Sequence, residues 1–195
     1  MIEPRRHPRQ DRSRAKVNSI LAAAADICAG RGIDALTTNA VAARAGVSIG
    51  SLYQYFPGKE ALLAALIRSE RAGLLQAVEQ IVSTDASRSL AELSDALIDL
   101  TISHHLERPA LSRTLAVARL HLPPDAEAAE FSTRITVLIA ARLHELQVPQ
   151  PETTARDLMA ILRGMIEAAS EAHEADRAAL GARTRRAVLG YLRAA

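Results

Sequence analysis

The sequence predicts an all-α protein of about nine helices, with a small helix-turn-helix unit ahead of a larger helical body. Composition is the first reason. Apolar residues make up 49% of the 195, yet aromatics only 3%, and there is no Trp. Most of the apolar count is Ala and Leu, which lose little side-chain freedom in a helix, whereas strands favour β-branched and aromatic residues. Periodicity is the second reason: apolar residues recur at i, i+3, i+4 and i+7 in one segment after another. The third is punctuation by Gly46, Pro57–Gly58, Pro123–Pro124 and the Pro149, Pro151 pair. A chain of 195 residues has room for one domain of ordinary size and a small appended one.

Residues 1–12 are polar and basic, contain Pro4 and Pro8, and are expected to form a flexible arm. Its Arg5, Arg6, Arg9 and Arg12 suit phosphates or a minor groove. From about Ser13 the period turns helical. Val17, Ile20, Leu21, Ala24, Ile27 and Cys28 form one apolar face, which Gly30 and Gly32 end in left-handed backbone. Ile33 and Leu36 then fold back onto it. Thr37 is the expected N-cap of a second helix, 38–45, closed by Gly46. Ser48 caps a third, 49–55, with Leu52 and Phe56 inward. Residues 13–60 thus make the small unit and 61–195 the larger body.

Lys59 opens a long fourth helix on Leu62, Leu63, Leu66, Ile67, Leu74, Leu75, Val78, Ile81 and Val82. It would join the two parts without a flexible linker. Five more helices are expected at about 86–107, 109–120, 125–146, 152–172 and 177–193.

The formal charge of +2 hides an asymmetry. Residues 1–60 carry nine Lys/Arg against five Asp/Glu, +4; residues 61–195 carry fifteen against seventeen, −2. A basic N-terminal third fits an end that meets a polyanion, although a solvated basic tail has the same count. Cys28, the one cysteine, has no intrachain partner and lies in an apolar run, as a core residue would. No stretch reaches ~18 uncharged apolar residues. The basic N-terminus is followed by no apolar segment. Neither a membrane span nor a secretory signal is expected, and the expected compartment is the cytoplasm.

The chemistry concentrates in residues 41–59, VAARAGVSIGSLYQYFPGK. In a helix-turn-helix the second helix enters the major groove and presents its side chains to base edges and phosphates. Here Ile49 suits a thymine methyl, Gly50 allows close backbone approach, and Gln54 can pair with a base edge. The hydroxyls of Ser51, Tyr53 and Tyr55 suit phosphates. Thr38 and Lys59 lie near helix N-termini, which also favour an anion. Packing within the small unit is the alternative for the two tyrosines. Against it, a sequence with only three tyrosines places two on one short helix.

Residues 20–66, ILAAAADICAGRGIDALTTNAVAARAGVSIGSLYQYFPGKEALLAAL, resemble the DNA-binding domain of TetR-family transcriptional regulators. The resemblance rests on the alanine-rich first helix, the glycine before the loop and the Thr–Thr start. It rests also on the Ala-Gly-Val-Ser turn, the Leu-Tyr-x-Tyr-Phe block and the Lys-Glu-x-Leu-Leu opening. It implies a homodimer on a palindromic, double-stranded operator, with Thr38 and Lys59 on phosphate and the helix after Ser48 as the reading surface. The candidate DNA-binding set is therefore Thr38, Ser48, Ile49, Gly50, Ser51, Tyr53, Gln54, Tyr55 and Lys59. Gln54 stands where histidine or tyrosine is frequent, and Gly58 where a small polar cap is usual. Both departures leave the operator sequence open.

The rest of the chain resembles the family only in general outline. There the resemblance implies a small-molecule effector among the central helices and dimerisation through the last two. Leu158, Ile161, Leu162, Met165 and Ile166 give the eighth helix a broad apolar face, where Gly164 and Ala168 would admit a partner helix. Val188, Tyr191 and Leu192 give the last helix another. A four-helix interface, two helices from each subunit, is expected. The alternative is that both faces bury within their own subunit.

Candidate effector contacts are His105, Arg113 and His121, polar residues amid apolar helical runs. Of the adjacent His104 and His105, the second is in register with Leu97, Ile98 and Ile102, though a structural histidine would sit there equally well. The histidines lack metal-ligand spacing, so no metal and no cofactor are expected. The expected partners are operator DNA, a second copy of the chain and an unidentified small-molecule effector, with no membrane. Two rivals are a helical interaction module that has lost DNA binding and a helical enzyme. The intact motif and basic arm oppose the first. The second lacks a nucleophile–base set, a phosphate loop, paired carboxylates and a metal cluster, so catalysis is not expected.

Overall fold

The computed structural model describes the backbone of residues 8–84, 88–106, 109–121 and 126–194. It describes the side chains of the same residues apart from 8–11, 119–121 and 126–128. These residues form nine α-helices, one 3-10 turn and no strand. The helices are α1 (Pro8–Arg31), α2 (Thr38–Ala45), α3 (Ile49–Tyr53), α4 (Lys59–Ser83), α5 (Leu90–Leu106), α6 (Pro109–His121), α7 (Ala126–Glu145), α8 (Pro151–Glu171) and α9 (Arg177–Ala194). The 3-10 turn is Ile33–Ala35. The all-α expectation, with a helix-turn-helix at the N-terminal end, is met.

The chain divides into two compact units, Met1–Ser69 with Ala110–Pro123 and Glu70–Pro109 with Pro124–Ala195. The unit around the helix-turn-helix therefore reaches into α4 and takes in α6, further than residues 13–60. Its core is built on Ile20, Ala24, Leu36, Val41, Leu52 and Leu62, all 0% exposed. Leu111, Leu115 and Ala118 of α6 complete it. The Thr114 hydroxyl, bonded to Ala110 O within α6 (2.8 Å), also lies 3.3 Å from Cys28 O of α1.

Local chemistry sets the helix boundaries. α1 is already helical at Pro8, the first described residue, rather than from near Ser13, and proline's fixed φ is compatible with an early helical position. Residues 8–12 are thus helical rather than part of a flexible arm. Thr37 caps α2, its hydroxyl accepting from Ala40 N at 3.1 Å. Gly46, at φ 68°, ends it. There Gly46 N–H bonds to Ala43 O and Val47 N–H to Ala42 O, closing the helix in a Schellman pattern. α5 starts at Leu90, later than 86, because Ser89 and Glu92 form a capping box. Glu92 Oε2 accepts from Ser89 N at 2.8 Å, and Ser89 Oγ accepts from Glu92 N at 3.3 Å.

The second unit buries Leu93, Ile98 and Ile102 of α5, Ile135, Ile139 and Leu143 of α7, Ala155 and Leu158 of α8, and Leu180 and Val188 of α9. Arg142, 5% exposed, is kept in this core by partners: it donates to Glu145 at 2.7 Å and to Arg88 O at 3.2 Å. α7 and α8 end as α2 does, with the same pair of back-bonds, but the left-handed residue is Gln147 (φ 57°) in one and His173 (φ 53°) in the other.

Candidate nucleic-acid interface

Short polar contacts fix α3. Ser48 caps α3, its hydroxyl accepting from Ser51 N at 3.2 Å and donating to Ser51 Oγ at 3.0 Å. Leu52, 0% exposed, anchors the inner face. α2 is held to α1 by Ser19, which donates to Ala45 O at 3.2 Å, and by the Arg44–Asp26 ion pair at 2.8 Å. A helix of five residues has no stability alone, so these contacts and the core set its geometry.

The outer face is what the motif requires. Ser48, Ile49, Gly50, Tyr53 and Gln54 are exposed. Among the described residues the exposed large hydrophobics are Ile49 (38%), Tyr53 (51%), Val117 and Val137. Two of those four fall one turn apart on this single short helix, which marks it as a contact surface. The Tyr53 hydroxyl lies 3.3 Å from Thr38 Oγ1, so the first residue of α2 and the last of α3 share a hydrogen bond. Lys59 is half-buried at the first position of α4. Burial pushes the nearby Cys28 thiol up, against a smaller opposing pull from the Lys59 charge. A buried thiol with that shift is an inert core residue.

Two expectations about this surface change. α3 ends at Tyr53, with Gln54 as its C-cap, so Tyr55 lies beyond the helix. Tyr55 is half-buried, and its hydroxyl accepts from Ser13 Oγ of α1 at 3.1 Å. Its side chain thereby ties the end of α3 to α1. Ser51 is half-buried, and its hydroxyl accepts from Ser48 Oγ at 3.0 Å. Of the arm residues, Arg5 and Arg6 lie outside the described residues. Arg9 is within α1 with its side chain outside them, and Arg12 is exposed on α1. Arg14 and Lys16 are exposed there too and were not singled out from the sequence. Both already lay in the helix expected from about Ser13, and their basic side chains were the signal.

His105 is half-buried on α5, Arg113 is exposed on α6 of the first unit, and the His121 side chain lies outside the described residues. The second unit instead holds an apolar cavity among α5, α7, α8 and α9, lined by neither His105 nor Arg113. Aliphatic side chains from four helices make it, so no polar residue in a single run announced it.

Part of the expected dimer face is buried within the chain itself. Leu158, Leu162, Ile166 and Val188 are buried inside the chain, at 6%, 6%, 8% and 3% exposure, packed in the core of their own unit. They are corrected from interface to core: the most apolar stripe of an amphipathic helix packs first on its own neighbours. Ile161, Met165, Tyr191 and Leu192 are half-buried. Tyr191 donates to Asp157 at 2.6 Å, which raises its pKa. Gly164 and Ala168 are exposed beside them.

Known proteins share both halves of this arrangement. Residues 20–66 match the family described as bacterial regulatory proteins, tetR family, and residues 89–192 a tetracyclin repressor-like C-terminal domain. The nucleoid occlusion factor SlmA of Pasteurella multocida is 31% identical over 85 residues, 44% of this chain and 42% of that protein. The match thus spans under half the length of this relative. A Mesorhizobium loti protein described as a TetR-family transcriptional regulator superposes with a TM-score of 0.77 at 18% identity, covering 94% of this chain and 98% of its own. SmeT, in complex with triclosan, superposes with a TM-score of 0.65 at 21% identity, covering 91% of each chain. At such identities the two structures share the fold. Among the described residues no helix is long and apolar enough to cross a membrane. The two matched segments and the helix-turn-helix geometry together place this chain in the TetR family of bacterial transcriptional regulators.

Proposed function

We propose that the chain is a cytoplasmic repressor that binds a palindromic operator as a homodimer and leaves it when a small molecule binds the second unit. The observation that carries the DNA half is the exposed face Ser48, Ile49, Gly50, Tyr53 and Gln54, with Tyr53 in hydrogen-bond contact with Thr38. Gln54 and Ile49 read base edges. Thr38, Tyr53 and Lys59 meet phosphates, and Arg12, Arg14 and Lys16 add positive charge along α1. Ser51 and Tyr55 position the face. In functional terms residues 1–60 are the DNA-binding part and 61–195 the effector and dimer part, although the compact units divide differently.

The dimer surface proposed is the half-buried remainder of α8 and α9: Ile161, Met165, Tyr191 and Leu192, with Gly164 and Ala168 allowing close approach of the partner helix. SmeT in complex with triclosan, a protein of the same fold holding a small molecule, supports a small-molecule effector here. An effector acts by binding one conformation better than the other, and releases DNA only by that difference.

The test is fluorescence anisotropy on DNA from upstream of the gene, against a shuffled duplex, at ~150 mM salt. The proposal expects at least ~1000-fold tighter binding to one palindromic site, two subunits per duplex. Equal binding to both duplexes overturns it.

A further inference from the structure

We infer that the effector is a small, uncharged, predominantly apolar molecule seated among α5, α7, α8 and α9. This rests on the effector reading above and adds the chemical class. Eight of the nine side chains lining the cavity are Leu, Ile or Val, and the ninth is Ser94. The Ser94 hydroxyl donates to Leu90 O at 2.7 Å, so its proton is already used. Two of the carboxylates next to the lining in sequence are also committed. Asp95 pairs with Arg185, and Asp157 accepts from Tyr191. A carboxylate, phosphate or ammonium in this cavity would be stripped of water with no counter-charge in the wall, at a cost that apolar contacts do not offset.

Size adds a second constraint. The cavity offers about 20 Å³ to the centre of a water-sized sphere, room for about one water. Apolar walls keep such a space dry, and the atoms around it lack contacts on that side. A ligand therefore gains by filling the void and must widen it to enter. Leu97, Leu158 and Leu162 are the most exposed of the lining residues, at 7%, 6% and 6%, and they are the side chains to move.

The experiment uses the full chain with toluene and its charged counterparts benzoate and benzylammonium, at matched concentrations. Thermal unfolding and NMR shifts of the leucine and valine methyls are read. Toluene raises Tm in a concentration-dependent way and shifts the cavity methyls, while the two ions bind at least ~10-fold more weakly. Leu162→Ala enlarges the void and tightens toluene binding, and Leu97→Ala does the same from α5 if the first variant does not fold. Absence of toluene binding to the wild type and to a folded enlarged variant overturns the inference. So does benzoate or benzylammonium binding as tightly as toluene. Operator affinity measured in the same samples separates the two readings. Toluene binding with operator affinity unchanged upholds the site and overturns release. Release by a charged molecule, with no toluene binding, overturns the site's class and upholds release.

Discussion

The first unit carries its candidate contacts on the outside and the second keeps its candidate site inside. On α3, Ile49 and Tyr53 stay exposed while a wholly buried Leu52 holds the helix down. In the second unit the candidate effector site is a void walled by aliphatic side chains. An external reading face needs contiguous residues with fixed backbone, so it is written in one stretch with its caps. An internal cavity needs only that four helices fail to fill a space, and no single stretch records that.

The largest effects test whether the two cores serve separate purposes. Leu52 and Leu143 are 0% and 1% exposed, so Leu52→Ala and Leu143→Ala should each cost about 2–5 kcal/mol by chemical denaturation. At a temperature where both remain folded by circular dichroism, Leu52→Ala should lose operator binding at least ~10-fold and Leu143→Ala should keep it. Equal loss would erase the contrast. Next, Met165→Glu would bury an unpaired charge at the proposed dimer face. The dimer dissociation constant should rise by about 100-fold or more in sedimentation velocity. A dimer that persists would move the interface elsewhere.

A smaller effect separates phosphate contacts from base contacts. Lys59→Ala should lower the slope of log K against log salt by about one, and Tyr53→Phe should cost about 1 kcal/mol, alike on every operator variant. Gln54→Ala should instead relax preference at one base pair of each half-site. The smallest effect concerns helix ends. Gly46, Gln147 and His173 occupy the same left-handed position after α2, α7 and α8. Gly46→Ala should destabilise by about 1 kcal/mol, and His173→Gly should stabilise by somewhat less than about 1 kcal/mol. No clash is involved at Gly46, where an added Cβ meets nothing within 4 Å. Opposite signs at the two positions would show that backbone conformation alone decides them.

The sequence was most legible where one residue type answers one local need. Thr37, Gly46 and Ser48 were each readable as a cap or a stop, and each is one. It misled where a pattern has two equivalent readings. The stripe Leu158, Leu162, Ile166 says that α8 buries a face, but not whether a neighbour in the same chain or a partner covers it. α3 is shorter than its spacing suggests: Tyr55 keeps helical spacing but lies beyond the C-cap Gln54, its hydroxyl accepting from Ser13 of α1. His105, Arg113 and His121 were chosen for polarity, whereas the cavity is apolar. The Ser89–Glu92 box could have been read from the residues and shows why α5 starts where it does.

The placement of α6 bears on how the protein can be dissected. Its core residues Leu111, Leu115 and Ala118 belong with the helix-turn-helix, yet in sequence they lie between helices of the other unit. The chain accordingly passes between the units three times, at 69–70, 109–110 and 123–124. A fragment cut after residue 69 would keep every residue of the reading face and expose the apolar surface that α6 covers. The excised DNA-binding half is thus expected to aggregate or loosen, and a faithful minimal reader would have to carry α6 back on an engineered linker.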